Sequence, residues 1–119
     1  MPRLRLEPSK RLFFNAPFLT KQKAALRLTN DEYWPIMYRI KCTSPRRYLL
    51  DKWTGALGVG DSALHIIRLL PLNYREGMWD RFTIEYCRVP SERVVAYDEK
   101  LLEQSDVLMQ KSLRVCFHV

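Results

Sequence analysis

Apolar and polar residues alternate along much of this 119-residue chain. The alternating segments are residues 4–6, 12–14, 24–28, 36–42, 82–86 and 113–119. A period of two is typical of β-strands that turn one face to a core and the other to water. Prolines and glycines recur between the segments, as the turns between short strands require. The pattern therefore predicts an all-β protein with antiparallel sheets.

Three further segments are less regular. Residues 46–50 follow a proline and predict one short strand, whereas residues 63–70 are largely apolar and predict a longer strand. Residues 53–61 contain three glycines, which predicts a turn-rich connection. The Glu7-Pro8 step should split the first strand in two, because proline interrupts a ladder of backbone hydrogen bonds.

One segment near the end of the chain predicts a helix. Its leucines and a methionine recur at helical spacing within residues 98–109, which indicates a short amphipathic helix that packs as a lid. About seven strands and this helix before the last strand predict an immunoglobulin-like antiparallel β-sandwich of two sheets. The length fits a single domain over residues 1–119.

Composition and charge narrow the function. The chain is 47% hydrophobic and 28% charged, as folded proteins are, and its 20 basic and 13 acidic residues give a net charge of +7. This charge favours an acidic partner. The basic residues form no dense runs, so nucleic acid is the less expected partner. No apolar run reaches the roughly 20 residues of a transmembrane segment, so we expect a cytoplasmic protein.

Candidate chemistry is sparse. Three cysteines, Cys42, Cys87 and Cys116, stand far apart without a C-x-x-C pair, and we expect them to be free thiols. Ser62 and His65 are three residues apart, so on one strand they point to opposite faces and form no nucleophile and base pair. In the predicted strand 63–70, both the residues that alternate with His65 and those on the same side are largely apolar. The sequence therefore leaves open whether His65 points to the core or to water. We therefore expect no enzyme, no cofactor and no metal site.

The tryptophans allow two interpretations. Trp34, Trp53 and Trp79 lie at predicted strand ends or loops. There they would plug the ends of the sandwich, while an exposed tryptophan would be a natural anchor for a partner. Plugging is the favoured interpretation.

Six stretches, taken in order, carry a family resemblance. They are LEP at residues 6–8 with L-x-F-x-A-P at 12–17, LRLTN at 26–30, YRIKCTSPRRY at 38–48, G-x-L at 55–57 with G-x-S at 60–62, DRFTIEY at 80–86, and LM with LR and a later phenylalanine at 108–117. The stretch at 38–48, an alternating strand that leads into a proline and a basic pair before tyrosine, is the most distinctive. Together they resemble the major sperm protein (MSP) domain, which nematode sperm proteins share with VAMP-associated proteins.

The resemblance implies a non-catalytic function in protein association. Sperm proteins of this family pack into filaments that drive crawling, whereas VAMP-associated proteins hold short acidic peptides, called FFAT motifs, on one basic sheet face. The residues at positions that match this face are Arg39, Lys41, Thr43, Arg81 and Thr83. The plain alternative is that these cations only form a solvated sheet face.

Departures from the peptide-binding pattern favour the sperm type. Thr83 stands where the VAMP-associated proteins have a methionine that walls the aromatic pocket, Cys42 replaces the first threonine of a pair, and Ser112 replaces a lysine. Residues 80–86 are closer to the sperm version, although the ending resembles the VAMP-associated one. The prediction is a cytoskeletal or assembly protein of cell motility, which binds itself or other sperm-type proteins; the alternative is an acceptor of FFAT-type peptides.

Overall fold

Two β-sheets and one short α-helix make up the computed structural model, which describes residues 3–89, 96–105 and 107–119. The strands are β1 (Leu4–Glu7), β2 (Arg11–Asn15), β3 (Gln22–Asn30), β4 (Ile36–Cys42), β5 (Tyr48–Leu49), β6 (Thr54–Leu57), β7 (Ser62–Leu69), β8 (Trp79–Arg88) and β9 (Met109–His118). The helix α1 spans Glu99–Glu103. The all-β sandwich with a helix before the last strand is confirmed.

Each sheet contributes one face to the core. One sheet has the order β1-β3-β7-β5 and the other β2-β9-β8-β4-β6. The inward residues of the alternating segments are buried between them, among them Leu26, Leu28, Ile36, Phe82, Ile84 and Val115. Full burial of such a side chain contributes about 1.5 to 3 kcal/mol. The alternation therefore fixes which face of each strand points outward.

The strand count and one strand direction differ from the prediction. The described residues form nine strands instead of about seven, and β2 runs parallel to β9, with Leu12 beside Val115. The predicted split of the first strand accounts for the parallel pair. Pro8 has no N–H to donate, so the ladder of β1 stops and the chain continues in the opposite sheet as β2.

Two connections were wrongly predicted. Residues 45–47 form a 3-10 helix, and only Tyr48 and Leu49 of the predicted strand 46–50 are extended. In the segment predicted as turns, Thr54–Leu57 form β6 along β4. Position 55 of this strand requires glycine, because the ring of Tyr38 occupies the space in which a Cβ atom would lie. The turn itself is confined to residues 58–61, where Gly60 has a φ of 81°.

The helix is shorter than predicted. It begins after Asp98, whose carboxylate accepts hydrogen bonds from the backbone N–H groups of Lys100 and Leu101, and it ends at Glu103. Met109 belongs to β9, and Asp106 lies outside the described residues. Leu102 is buried beside Met37 and Cys87 on the outward side of the five-stranded sheet. The helix therefore covers one end of that sheet's outer face.

Candidate functional site

The five residues predicted from the resemblance lie close together. Lys41 of β4 is directly opposite Thr83 of β8, Arg39 lies two positions before Lys41, and Arg81 lies two positions before Thr83. The hydroxyl of Thr43 accepts a hydrogen bond from the backbone N–H of Arg81 at 3.0 Å. Alternation along β4 and β8 turns the side chains of Arg39, Lys41, Arg81 and Thr83 away from the core. We call these five residues the predicted site.

An acidic residue, Glu85, neutralises part of this site. Its carboxylate accepts a hydrogen bond from Arg39 Nε at 2.7 Å and lies 3.0 Å from Lys41 Nζ. Only 7% of the Glu85 side chain is exposed. Burial by itself would raise the pKa of Glu85, but the hydrogen bonds from Arg39 and Lys41 outweigh it and lower that pKa from its ordinary value. Glu85 is therefore ionised at neutral pH; it contacts two of the three predicted cations and offsets one of their two positive charges.

A polar bridge lies beside the predicted site. The hydroxyls of Thr83 and Ser112 lie 3.0 Å apart across β8 and β9. Together with Lys41, Thr43 and Arg81, Thr83 lines a shallow depression of about 290 Å³. Thr83 therefore brings a hydroxyl group to the position where the resemblance expects the methionine that walls an aromatic pocket.

One arginine of the basic pair in the distinctive stretch, Arg47, has a structural role. Arg47 Nη1 donates to both carboxylate oxygens of Asp80 at 3.0 Å, and the hydroxyls of Tyr48 and Thr43 donate to the same carboxylate. Asp80 is 1% exposed. Burial, and then the hydrogen bond to Asp80, raises the pKa of Tyr48. This network fixes the 3-10 helix against β8 and positions Thr43.

The residues weighed for catalysis are engaged elsewhere. The Ser62 hydroxyl lies 2.8 Å from that of Thr29, while His65 is buried with Nε2 2.7 Å from the Tyr38 hydroxyl. Burial lowers the pKa of His65 and raises that of Tyr38 to about 12. Ser62 and His65 thus face opposite sides of β7, as predicted, and the histidine is the core residue of a buried pair.

The cysteines and tryptophans have distinct surroundings. Burial raises the pKa of Cys42 to about 11, which keeps this thiol protonated. No group of three or more possible metal ligands occurs in residues 3–89, 96–105 and 107–119. Trp34 and Trp53 pack against the core, as predicted for plugs. Trp79 is instead the first residue of β8 and is 43% exposed, so its predicted plugging role is wrong.

Sequence reasoning missed a second group on the same face. Arg11, Arg114 and Arg81 occupy directly opposed positions on β2, β9 and β8. The next row holds Phe13, Cys116 and Trp79 in the same strand order. Alternation along each strand indicated that each of these residues points outward, but no local pattern indicated that β2 lies beside β9.

No helix in the described ranges is long and apolar enough to span a bilayer.

Known proteins resemble this chain over nearly its whole length. Major sperm protein 3 of Globodera rostochiensis is 25% identical over 94% of this chain and 90% of its own length. The vesicle-associated membrane protein/synaptobrevin-binding protein of Aplysia californica is 31% identical over 96% of this chain, which spans only 45% of that relative. The solved structure of WR4, an MSP family member of Caenorhabditis elegans, has a TM-score of 0.75 at 15% identity and covers 98% of this chain and 99% of its own.

The matched region identifies the family. The sequence profile of the MSP (Major sperm protein) domain matches residues 3–101, which include eight of the nine strands and the start of the helix. The five residues of the predicted site lie within the matched region, and β9 lies beyond it. The chain therefore belongs to the major sperm protein domain family.

Proposed function

We propose that this chain is a non-enzymatic, cytoplasmic assembly protein of the sperm type, which associates with copies of itself. The observation that carries the proposal is an apolar strip on the outward face of the four-stranded sheet. Leu64 is 51% exposed, Ile66 follows it on the same face of β7, and Ala25 lies beside Ile66 on β3. Exposed, contiguous apolar residues of this kind typically mark a protein contact.

The surroundings of the strip suit a contact between copies. Arg27 pairs with Leu64, and Arg68 follows Ile66 and pairs with Leu49, which is 45% exposed. An apolar centre with a polar rim is the usual anatomy of a protein interface. A second copy can present the same apolar strip across a twofold axis, in which each subunit uses one patch.

Light scattering of the parent chain and of Leu64→Glu tests this proposal. We expect the parent to form dimers or larger assemblies and Leu64→Glu to shift it towards monomer, because a carboxylate would enter an apolar contact. Val59→Glu is the matched control, since Val59 is 56% exposed in the turn at residues 58–61 and the charge change is the same. A monomeric parent, or equal behaviour of the two variants, would contradict the proposal.

The second candidate function is an acceptor of acidic FFAT-type peptides at the predicted site. It is favoured by the depression lined by Lys41, Thr43, Arg81 and Thr83. Arg81 is the cation of this site that forms no salt bridge within the described residues, so it would supply most of the attraction. The compensation by Glu85 and the polar Thr83–Ser112 bridge make this the weaker candidate.

Titration of the parent with an FFAT-type peptide tests this candidate. If the site accepts peptides, Arg81→Glu should weaken binding at least about tenfold, or about 1.4 kcal/mol, while the melting temperature stays nearly unchanged. We expect negligible binding to the parent. Micromolar binding that Arg81→Glu abolishes would make peptide acceptance the better description of this chain.

A further inference from the structure

The turn that follows β4 carries a hydroxyl group that its own helix does not use. Ser44 precedes the 3-10 helix Pro45–Arg47, is partly exposed, and makes no side-chain cap hydrogen bond to that helix. Its neighbour Thr43 differs, because the Thr43 hydroxyl donates to Asp80 at 3.2 Å and accepts from the N–H of Arg81 at 3.0 Å. Of these two hydroxyls, that of Ser44 is therefore the one open to chemical modification.

The residues that follow Ser44 give this hydroxyl a distinctive context. Pro45 comes next, then Arg46 and Arg47, and Ser44-Pro45 is the only place in the sequence where a serine or threonine precedes a proline. Proline has no N–H, so an enzyme pocket that offers no acceptor at this position admits proline and disfavours other residues. Arginines beside the hydroxyl let an enzyme with acidic groups select the site by charge. This combination suits a proline-directed protein kinase.

The turn can open without exposing core side chains. None of the residues 45–47 is buried, and the turn is closed by two backbone hydrogen bonds, from the Arg47 N–H to the Ser44 carbonyl at 3.1 Å and from the Tyr48 N–H to the Pro45 carbonyl. The backbone of Ser44 already lies outside the helical region, with a φ of −135° and a ψ of 71°. Local opening of such a segment requires much less free energy than unfolding of the domain. A kinase can therefore reach Ser44 in the folded protein.

A phosphate on Ser44 would stand beside a buried carboxylate and its cation. Ser44, Arg47 and Asp80 line one depression of about 330 Å³. In it, Arg47 Nη1 lies 3.0 Å from both carboxylate oxygens of Asp80, which is 1% exposed. A phosphoserine carries about 1.5 to 2 negative charges at pH 7 and offers three strong acceptor oxygens. It would therefore attract Arg47 and repel Asp80.

We propose that Ser44 is a phosphorylation site of a proline-directed protein kinase, and that the phosphate draws Arg47 away from Asp80. In this reaction the Ser44 Oγ attacks the γ-phosphorus of ATP and forms the new P–O bond, while the bond from that phosphorus to ADP breaks. ADP leaves with the electron pair, and the hydroxyl proton passes to a base of the kinase. The phosphate offsets the charges of Arg46 and Arg47. Modification thus removes the positive charge of the turn and weakens the network that positions Thr43.

Incubation of the full chain with a purified proline-directed kinase and ATP, followed by peptide mass spectrometry, tests the site. We expect a single phosphate, on Ser44, and none in Ser44→Ala. Pro45→Ala should lower the initial rate by about tenfold or more, because alanine brings an N–H that the kinase leaves without an acceptor. Ser9→Ala is the matched control and should leave the rate unchanged, since Ser9 is an exposed serine that follows Pro8 instead of preceding a proline.

Thermal unfolding before and after phosphorylation tests the effect on Arg47. We expect the melting temperature to fall by about 3 °C or more and to recover after treatment with a phosphatase. In Asp80→Ala, which lacks the contact with Arg47, phosphorylation should change the melting temperature much less. The proposal is overturned by an unmodified parent, by phosphate on another residue, by equal rates for the parent and Pro45→Ala, or by a melting temperature that phosphorylation leaves unchanged or raises. These readouts are independent of the self-association that Leu64→Glu tests.

Discussion

The two ends of the five-stranded sheet's outer face differ in how their cations are used. At one end Arg39 and Lys41 both contact the buried carboxylate of Glu85, and Gln110 donates a hydrogen bond to the same group at 3.1 Å. At the other end Arg114 stacks on an exposed tryptophan and forms no salt bridge in the described part of the chain. The positive charge that a sheet face offers to a partner therefore depends less on the number of cations than on whether an acidic residue lies in register beside them.

The difference also bears on rigidity. The Glu85 end is closed by hydrogen bonds that hold Arg39 with only 22% of its side chain exposed. At the other end, stacking on Trp79 orders Arg81 and Arg114 and leaves the N–H groups of their guanidinium groups free to donate hydrogen bonds. A sheet face can therefore form ion pairs at one end and leave its arginines without acidic neighbours at the other.

The largest effect should come from breaking the sheet that carries both ends. Ile40→Asp places a carboxylate at a core position that is 4% exposed, where nothing can pair with it. We expect the free energy of unfolding to fall by at least about 4 kcal/mol, which is enough to unfold many domains. Urea unfolding measures this change. Lys23→Asp, on an exposed position of β3, should be nearly neutral, and a parent-like Ile40→Asp would refute the register.

A smaller loss is expected on the inner side of β8, where Asp80 is buried. Asp80→Ala removes the buried acceptor of Arg47, Tyr48 and Thr43, and so leaves buried donors without a partner. We expect a loss of about 2 to 3 kcal/mol, since Arg47 is partly solvated. Asp51→Ala removes an exposed acid 3.7 Å from Arg68 and should cost less than about 0.5 kcal/mol. Equal losses in thermal unfolding would show that Asp80 has no special role.

Glu85→Gln should make the Glu85 end of the sheet face resemble the end that carries Arg114, where no acidic residue contacts the cations. At pH 7 we expect a loss of stability of about 1 kcal/mol and tighter binding of acidic peptides, because two cations lose their counter-ion. The folded-state pKa of Glu85 is lowered from its ordinary value, so its ionic contribution is fully present above the unfolded-state pKa and is lost as pH falls through the folded-state pKa. The difference between parent and variant should therefore shrink in acid. A difference independent of pH would indicate a packing effect.

The smallest effect concerns the lining of the predicted site. Thr83→Met replaces the hydroxyl that contacts Ser112 with an apolar side chain, and stability should change by less than about 0.5 kcal/mol. Peptide binding should nevertheless improve for an FFAT-type peptide, because the depression gains an apolar wall. Calorimetric titration of Thr83→Met and of Thr83→Ser with this peptide separates the effect of an apolar side chain from that of the hydroxyl group, which Thr83→Ser retains. Equal binding by both variants would show that the lining does not limit recognition.

Local patterns carried most of the architecture but misjudged particular segments. Alternation predicted β3, β4, β8 and β9 with the correct buried faces, because burial of one sheet face imposes a period of two on each strand. The segment that contains Gly55 was predicted to be a turn, although it forms β6. Glycine is required there because the ring of Tyr38, on a different strand, occupies the space of a Cβ atom, and no local pattern shows this. The helix was predicted too long because Leu108 and Met109 suit a helical period as well as the approach to a strand.

The sequence by itself determined the fold class, the outward cations and the opposite orientation of Ser62 and His65, because these follow from residue types and short periods. Tertiary structure decided which outward residues are neighbours. Glu85 meets Arg39 from 46 positions away, and Arg11 meets Arg114 only because β2 leaves the first sheet and pairs with β9. Strand register is set by packing of the whole chain. The charge that this face offers to a partner is therefore a property of the fold.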